Sequence, residues 1–200
     1  MATYLTIASP SEAIVREKMS RFLAFAHPAA TVEEARTLIA AYTNRYHDAR
    51  HVCWAYTIGA DRSTTLSTDN GEPSGTAGKP ILGQINSFGL TNIVIIVVRY
   101  FGGIKLGTSG LIAAYREAAR QALEAAEIIE GREMTTAIVT YAYPAMEPVM
   151  RTVKRPDITI LSQEFDNTCR LTLSLPLDLL PEITTRLTHH ATVTTPDAET

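Results

Sequence analysis

Residues 93–110 read Ile93-Val94-Ile95-Ile96-Val97-Val98-Arg99-Tyr100-Phe101-Gly102-Gly103-Ile104-Lys105-Leu106-Gly107-Thr108-Ser109-Gly110. The first six residues form a short apolar run, which reads as a buried strand. A glycine-rich turn follows. Gly107-Thr108-Ser109-Gly110 then lies at the start of a helix, with Thr108 or Ser109 placed to cap it. That helix runs to about Glu127, with Leu111, Ala114, Tyr115, Ala118, Ala122 and Leu123 on one stripe. Upstream lies a second glycine-rich segment, Asp69-Asn70-Gly71-Glu72-Pro73-Ser74-Gly75-Thr76-Ala77-Gly78-Lys79-Pro80. Glycine loses more backbone entropy on folding than other residues, so dense glycine in an ordered region signals special dihedrals or close backbone approach. Of the four lysines, Lys18, Lys79, Lys105 and Lys154, two lie inside these segments.

Around this centre the chain divides in two. Tyr4–Ile7 and the 12–26 region contain strand-like stretches. Thr31 with Glu34 is a capping box for a helix carrying Leu38, Ile39 and Tyr42. Residues 51–58 alternate, with Val52, Trp54, Tyr56 and Ile58 on one face, as in a half-buried strand. Ile81 to Phe88 forms a short helix, and Glu130-Gly131 punctuates the end of the long helix. The remainder reads strand (136–143), helix (145–154), hairpin (158–165 with 169–175), helix (181–190) and short strand (192–194). This order suggests a ferredoxin-like domain. The fold class is α+β, with domains at 1–130 and 134–195, and the last few residues are expected to fray.

Composition excludes several classes. With 200 residues the chain can bury a real core, and 46% hydrophobic content is ordinary for a globular protein. The formal net charge is -3, and residues 1–130 hold 12 basic and 12 acidic side chains. Neither half is a basic module, so a nucleic-acid role must rest on a local patch. Cys53 and Cys169 lie far apart and form no C-x-x-C pair, which fits a reducing cytoplasm. No signal peptide is read at the N-terminus and no apolar run approaches membrane-spanning length, so no membrane partner is expected.

Gly78-Lys79 does not make a Walker loop. Pro73 stands where its first glycine belongs, and Pro80 replaces the magnesium-binding hydroxyl. The dinucleotide fingerprint G-x-G-x-x-G is absent. The second segment makes the better anion site, because free N–H groups and the helix dipole favour negative charge at a helix start. Lys105 and Arg99 add charge there, although Arg99 ends a buried strand. A tight packing turn is the competing reading. Asp69 to Pro80 is an ordered loop contributing polar groups to a cleft, or a long solvated connection. His47-Asp48-Ala49-Arg50-His51 resembles H-E-x-x-H, but the helix ends near His47 and aspartate replaces the glutamate base, so zinc is not expected. No nucleophile–base pair is evident, and Cys53 reads as a small buried hydrophobe.

The strings TDNGEPSGTAGKPIL (68–82) and VVRYFGGIKLGTSGLIAAY (97–115) closely resemble the IMPACT family, in particular its bacterial YigZ branch. Met19-Ser20-Arg21-Phe22 and the 47–56 stretch match earlier blocks, and the similarity covers residues 12–128. The resemblance implies an N-terminal domain of the ribosomal-protein-S5 second-domain type and a ferredoxin-like domain similar to one of elongation factor G. It also implies a link to translation, because eukaryotic relatives regulate translation under amino-acid starvation by binding a ribosome-associated activator. Two positions depart from the family. Asn70 replaces a second aspartate, and Ala113 replaces an arginine.

The expected function is that of a cytoplasmic, translation-associated regulatory protein binding RNA, the ribosome or a protein partner. The alternative is an enzyme acting on a phosphorylated metabolite or nucleotide in the same cleft. The candidate ligand-binding set is Asp69, Glu72, Ser74, Gly75, Thr76 and Lys79 from the first segment. Arg99, Gly102, Gly103, Lys105, Gly107, Ser109 and Gly110 come from the second, and His51 from the earlier strand. No catalytic residue, metal ligand or cofactor is assigned, and the oligomeric state is not read.

Overall fold

The computed structural model describes residues 3–196. The expected fraying of the last residues therefore lies outside the described residues. The chain separates into two compact units, Tyr4–Gly131 and the part from Arg132 onward together with Thr3.

The first unit is built on a five-stranded antiparallel sheet. Its strands are β2 (Ser11–Glu17), β3 (Ser20–Pro28), β4 (His51–Ile58), β5 (Thr64–Thr68) and β6 (Ile93–Tyr100), in the order β2-β3-β6-β4-β5. β1 (Thr3–Ile7) pairs with β7 (Ile128–Arg132) in a separate two-stranded sheet. β6 takes the centre because seven of its eight residues are fully buried apolar or buried polar groups with no solvent face. Helices cover both faces. α1 (Val32–Arg45) packs on Phe25, Val52, Tyr56, Val94, Ile96 and Val98. α2 (Gly78–Ser87) and α3 (Gly107–Glu124) pack on the opposite face, against Phe22, Cys53, Ala55, Ile93, Ile95 and Val97.

This sandwiching corrects the reading of β4 as half-buried. Six of its eight residues are buried, on both faces, because α1 lies on one side and α2 on the other. Thr31 caps α1 as expected, while the returning Glu34 bond reaches the residue before the cap. Thr31 Oγ1 accepts from the Glu34 N–H at 3.1 Å, and Glu34 Oε2 accepts from the Ala30 N–H at 2.7 Å. α2 starts three residues earlier than expected, at Gly78. Gly131 does not end a helix; it lies inside β7. A Cβ there would sit 2.5 Å from the Tyr4 ring, so glycine makes room for that ring across the strand pair.

The second unit has a four-stranded antiparallel sheet of β8 (Met134–Tyr141), β9 (Thr159–Phe165), β10 (Cys169–Pro176) and β11 (Thr192–Thr194). The strand order is β11-β8-β10-β9, with α4 (Met146–Val153) and α5 (Leu180–Leu187) as the two crossovers. This is the split βαβ arrangement of a ferredoxin-like domain. Ala137, Val139, Leu171, Leu173, Val149, Val153, Ile183 and Leu187 form its core, so α4 and α5 cover one face of the sheet. The two units together make an α+β protein of two domains.

Candidate functional site

Both glycine segments meet at one end of β6. The segment after β5 turns through Asn70 at φ 39° and Gly71 at φ 83° and brings Glu72 under the sheet. Glu72 has a side chain only 3% exposed, and its Oε1 carries two donors. Arg99 Nη1 donates at 2.7 Å and the Tyr115 hydroxyl at 2.8 Å. The Arg99 guanidinium lies 5.5 Å from the Phe22 ring centre and 5.6 Å from that of Phe101. Its Nε is buried without a hydrogen-bond partner among the described residues. Arg99, Glu72 and Tyr115 thus tie β6, the first loop and α3 into one buried polar cluster. Burial pushes the Tyr115 hydroxyl well above the ordinary tyrosine range.

Cys53 closes the cluster from β4. Its thiol donates to the Asp69 carbonyl at 2.9 Å and lies 3.4 Å from the Tyr115 hydroxyl. Burial pushes this thiol up to about 12, as suits an inert structural cysteine. Asp69 organises the loop. Its carboxylate accepts from the N–H groups of Gly75 (2.8 Å), Ala77 (3.0 Å) and Gly78 (2.8 Å). Burial works against its charge, but these three donors, with Lys79 nearby, hold the carboxyl below the usual aspartate range. Asp69 therefore caps α2 from outside the helix, since Ala77 at the N-cap position has no capping side chain. Asn70 has its own reason for departing from aspartate. Its Nδ2 donates to the Val52 carbonyl at 3.0 Å, which a carboxylate cannot do.

Beside the cluster opens a cavity of about 370 Å³, lined by Arg50, His51, Glu72, Pro73, Arg99, Phe101, Lys105, Leu106, Gly107, Thr108 and Leu111. α3 begins here. Thr108 and Ser109 do not cap it, because the helix starts two to three residues earlier than that role requires. Its N-cap is Leu106, and no side chain caps its free N–H groups. The helix start, Lys105 and Arg50 therefore present positive potential to one space. His51 lies opposite. Its Nδ1 is 3.0 Å from the Asn70 carbonyl, and its Nε2 is 3.9 Å from Glu72 Oε2.

Of the expected ligand set, the cavity wall gathers His51, Glu72, Arg99, Lys105 and Gly107. The others lie elsewhere. Asp69 and Gly75 serve the α2 cap, and the buried Thr76 hydroxyl donates to the Pro73 carbonyl at 2.6 Å. Ser74 and Lys79 are exposed outside the cavity lining, as are Gly103 and Ser109. Gly102 packs against the β2–β3 turn, where an added Cβ would lie 2.0 Å from the Met19 carbonyl carbon. Gly110 packs on Leu106, whose Cβ would lie 3.0 Å from a Cβ added there. Sequence reasoning missed Arg50, Phe101 and the polar role of Tyr115. Tyr115 falls in the apolar stripe of α3, and nothing local marks its hydroxyl. Among the described residues, no three His, Cys, Asp or Glu side chains converge to hold a metal ion. None of the described helices is long and apolar enough to cross a membrane.

The family model for the Impact N-terminal domain matches residues 18–123, the span holding β3 to α3 and every wall of this cavity. The chain belongs to the IMPACT family. An IMPACT family member of Haemophilus influenzae is 35% identical over 193 residues, covering 94% of this chain and 92% of the relative. IMPACT family member YigZ of Escherichia coli is 33% identical over 189 residues, covering 94% and 93%. A crystal structure described as that of a hypothetical protein superposes with a TM-score of 0.78 at 30% identity, covering 98% of both chains. The likeness to YigZ and to this structure extends through the second unit as well as the first.

Proposed function

We propose that this IMPACT family protein is a cytoplasmic, translation-associated regulator whose first unit binds RNA through a phosphate group at the start of α3. The observation that carries this reading is the meeting of an uncapped helix N-terminus with Lys105 and Arg50 in one cavity. Phosphate needs no covalent chemistry from such a site, only N–H donors and nearby cations. The surroundings suit a single strand. Phe101 is 46% exposed and Ile104 50% exposed, which offers apolar surface for bases beside the anion site. The β2–β3 turn, with Lys18 and the exposed Met19, packs directly on Gly102 and extends that surface. The translation assignment rests on the family, whose eukaryotic members regulate translation.

Fluorescence anisotropy with short single-stranded RNA tests the reading. Lys105→Ala and Arg50→Ala are each expected to weaken binding and to lower the log–log salt slope by about one. Binding that saturates at one site with weak salt dependence would point instead to a small phosphorylated metabolite. Unchanged binding in both variants would remove the anion site from consideration.

A further inference from the structure

The Glu72 carboxylate is used on one side only. Oε1 accepts from Arg99 and Tyr115, whereas Oε2 accepts from no described residue. Glu72 Oε2 instead faces the cavity, where a ligand can supply the donor that the protein does not. Its neighbour is His51 Nε2, at 3.9 Å, beyond hydrogen-bond distance. The Asn70 carbonyl 3.0 Å from His51 Nδ1 can only accept, so the ring hydrogen sits on Nδ1. With its hydrogen on Nδ1, the ring offers the Nε2 lone pair on the side of Glu72. Two acceptors separated by 3.9 Å face the same cavity.

A single nitrogen bearing two hydrogens satisfies both, sitting about 2.9 Å from each acceptor. We propose that the cavity reads the exocyclic amino group of a nucleobase, donating one hydrogen to Glu72 Oε2 and the other to His51 Nε2. This rests on the RNA reading above, which places a phosphate of the same nucleotide at the start of α3. A cavity of about 370 Å³ is of the size that holds one nucleotide. Cytosine and adenine carry the required amino group. Uracil and hypoxanthine present a carbonyl oxygen in its place, which turns an acceptor toward a carboxylate. The site therefore selects cytidine over uridine and adenosine over inosine.

The test compares the hexamers rC6, rU6, rA6 and rI6 on the full chain at one salt concentration. Cytidine over uridine is expected by about 10-fold or more, and adenosine over inosine in the same sense. His51→Ala is expected to bring both ratios close to one while keeping the salt slope. Lys105→Ala is expected to weaken all four hexamers and leave the ratios in place. If His51→Ala does not fold, judged by Trp54 fluorescence, the wild-type ratios and Lys105→Ala decide alone. Equal binding of all four hexamers by the wild type overturns the amino-group inference and leaves the phosphate site standing. Binding of none of the hexamers overturns both readings.

Discussion

Arg99→Ala separates the structural role of this residue from a ligand role. The Arg99 side chain is 7% exposed and that of Glu72 3% exposed, so the pair is buried. Removing the guanidinium leaves Glu72 with the Tyr115 hydroxyl as its one remaining close donor. Breaking a buried ion pair from one side costs about 3–5 kcal/mol, because the partner charge is stranded. Trp54 is the sole tryptophan and lies in β4, so its fluorescence reports unfolding of the first unit. With a urea slope of about 2 kcal/mol/M, the midpoint should fall by roughly 1.5–2.5 M. Adding Glu72→Gln to Arg99→Ala should recover at least half of that loss, since no charge is then stranded. Lys105→Ala, at an exposed position, should stay within about 0.5 kcal/mol of the parent. A loss below about 1 kcal/mol for Arg99→Ala would refute this account and leave Arg99 with a ligand role alone.

Other outcomes are equally specific. Gly102→Ala should destabilise the first unit by more than about 2 kcal/mol in the same urea assay, because the Cβ collides with backbone rather than a movable side chain. Asp69→Ala should cost about 2 kcal/mol through the loss of charged acceptors for three N–H groups. Because the folded carboxyl titrates below the unfolded one, its contribution is complete above about pH 5 and is lost as pH falls through the folded value. Urea midpoints of wild type and Asp69→Ala should therefore converge in acid; parallel curves would contradict the cap. Cys53 and Cys169 are both buried, so a thiol reagent at pH 8 should modify neither until denaturant is added. Residues 1–133, which retain β7 whole, should fold alone with a cooperative Trp54 transition; a molten fragment would argue that the first unit depends on the second.

Much of the architecture was legible where local chemistry and tertiary context agree. Thr31 and Glu34 mark α1 because their bonds are local, and Ile93–Val98 marks β6 because only a covered strand is apolar throughout. The spacing of β8 to β11 and their helices was visible for the same reason. β4 is more buried than its alternation suggests because its second face, with Cys53, Ala55 and Thr57, is covered as well. β5, with the sequence Thr-Thr-Leu-Ser-Thr, lies exposed at an edge and carries no strong pattern. The site was legible as two segments but not as a set of partners. Glu72 and Arg99 stand 27 residues apart, and Glu72 and Tyr115 43 apart, so their bonds exist only through the fold. Asp69 and Lys79 belong to the same conspicuous loop as Glu72, yet the chain turns them toward its own backbone or toward solvent.

The central strand of the first sheet is also the last of its five to be synthesised. β2 and β3 form one hairpin and β4 and β5 another, and neither pair is hydrogen-bonded to the other except through β6. At about 5–20 residues per second, the ribosome holds these two hairpins apart for seconds before Ile93–Tyr100 follows. Until then, the β3 and β4 edges that will receive β6 are open to mispairing with each other or with another nascent chain. Slowing translation just before β6 should thus raise the yield of aggregated chain, whereas slowing it after α3 should not.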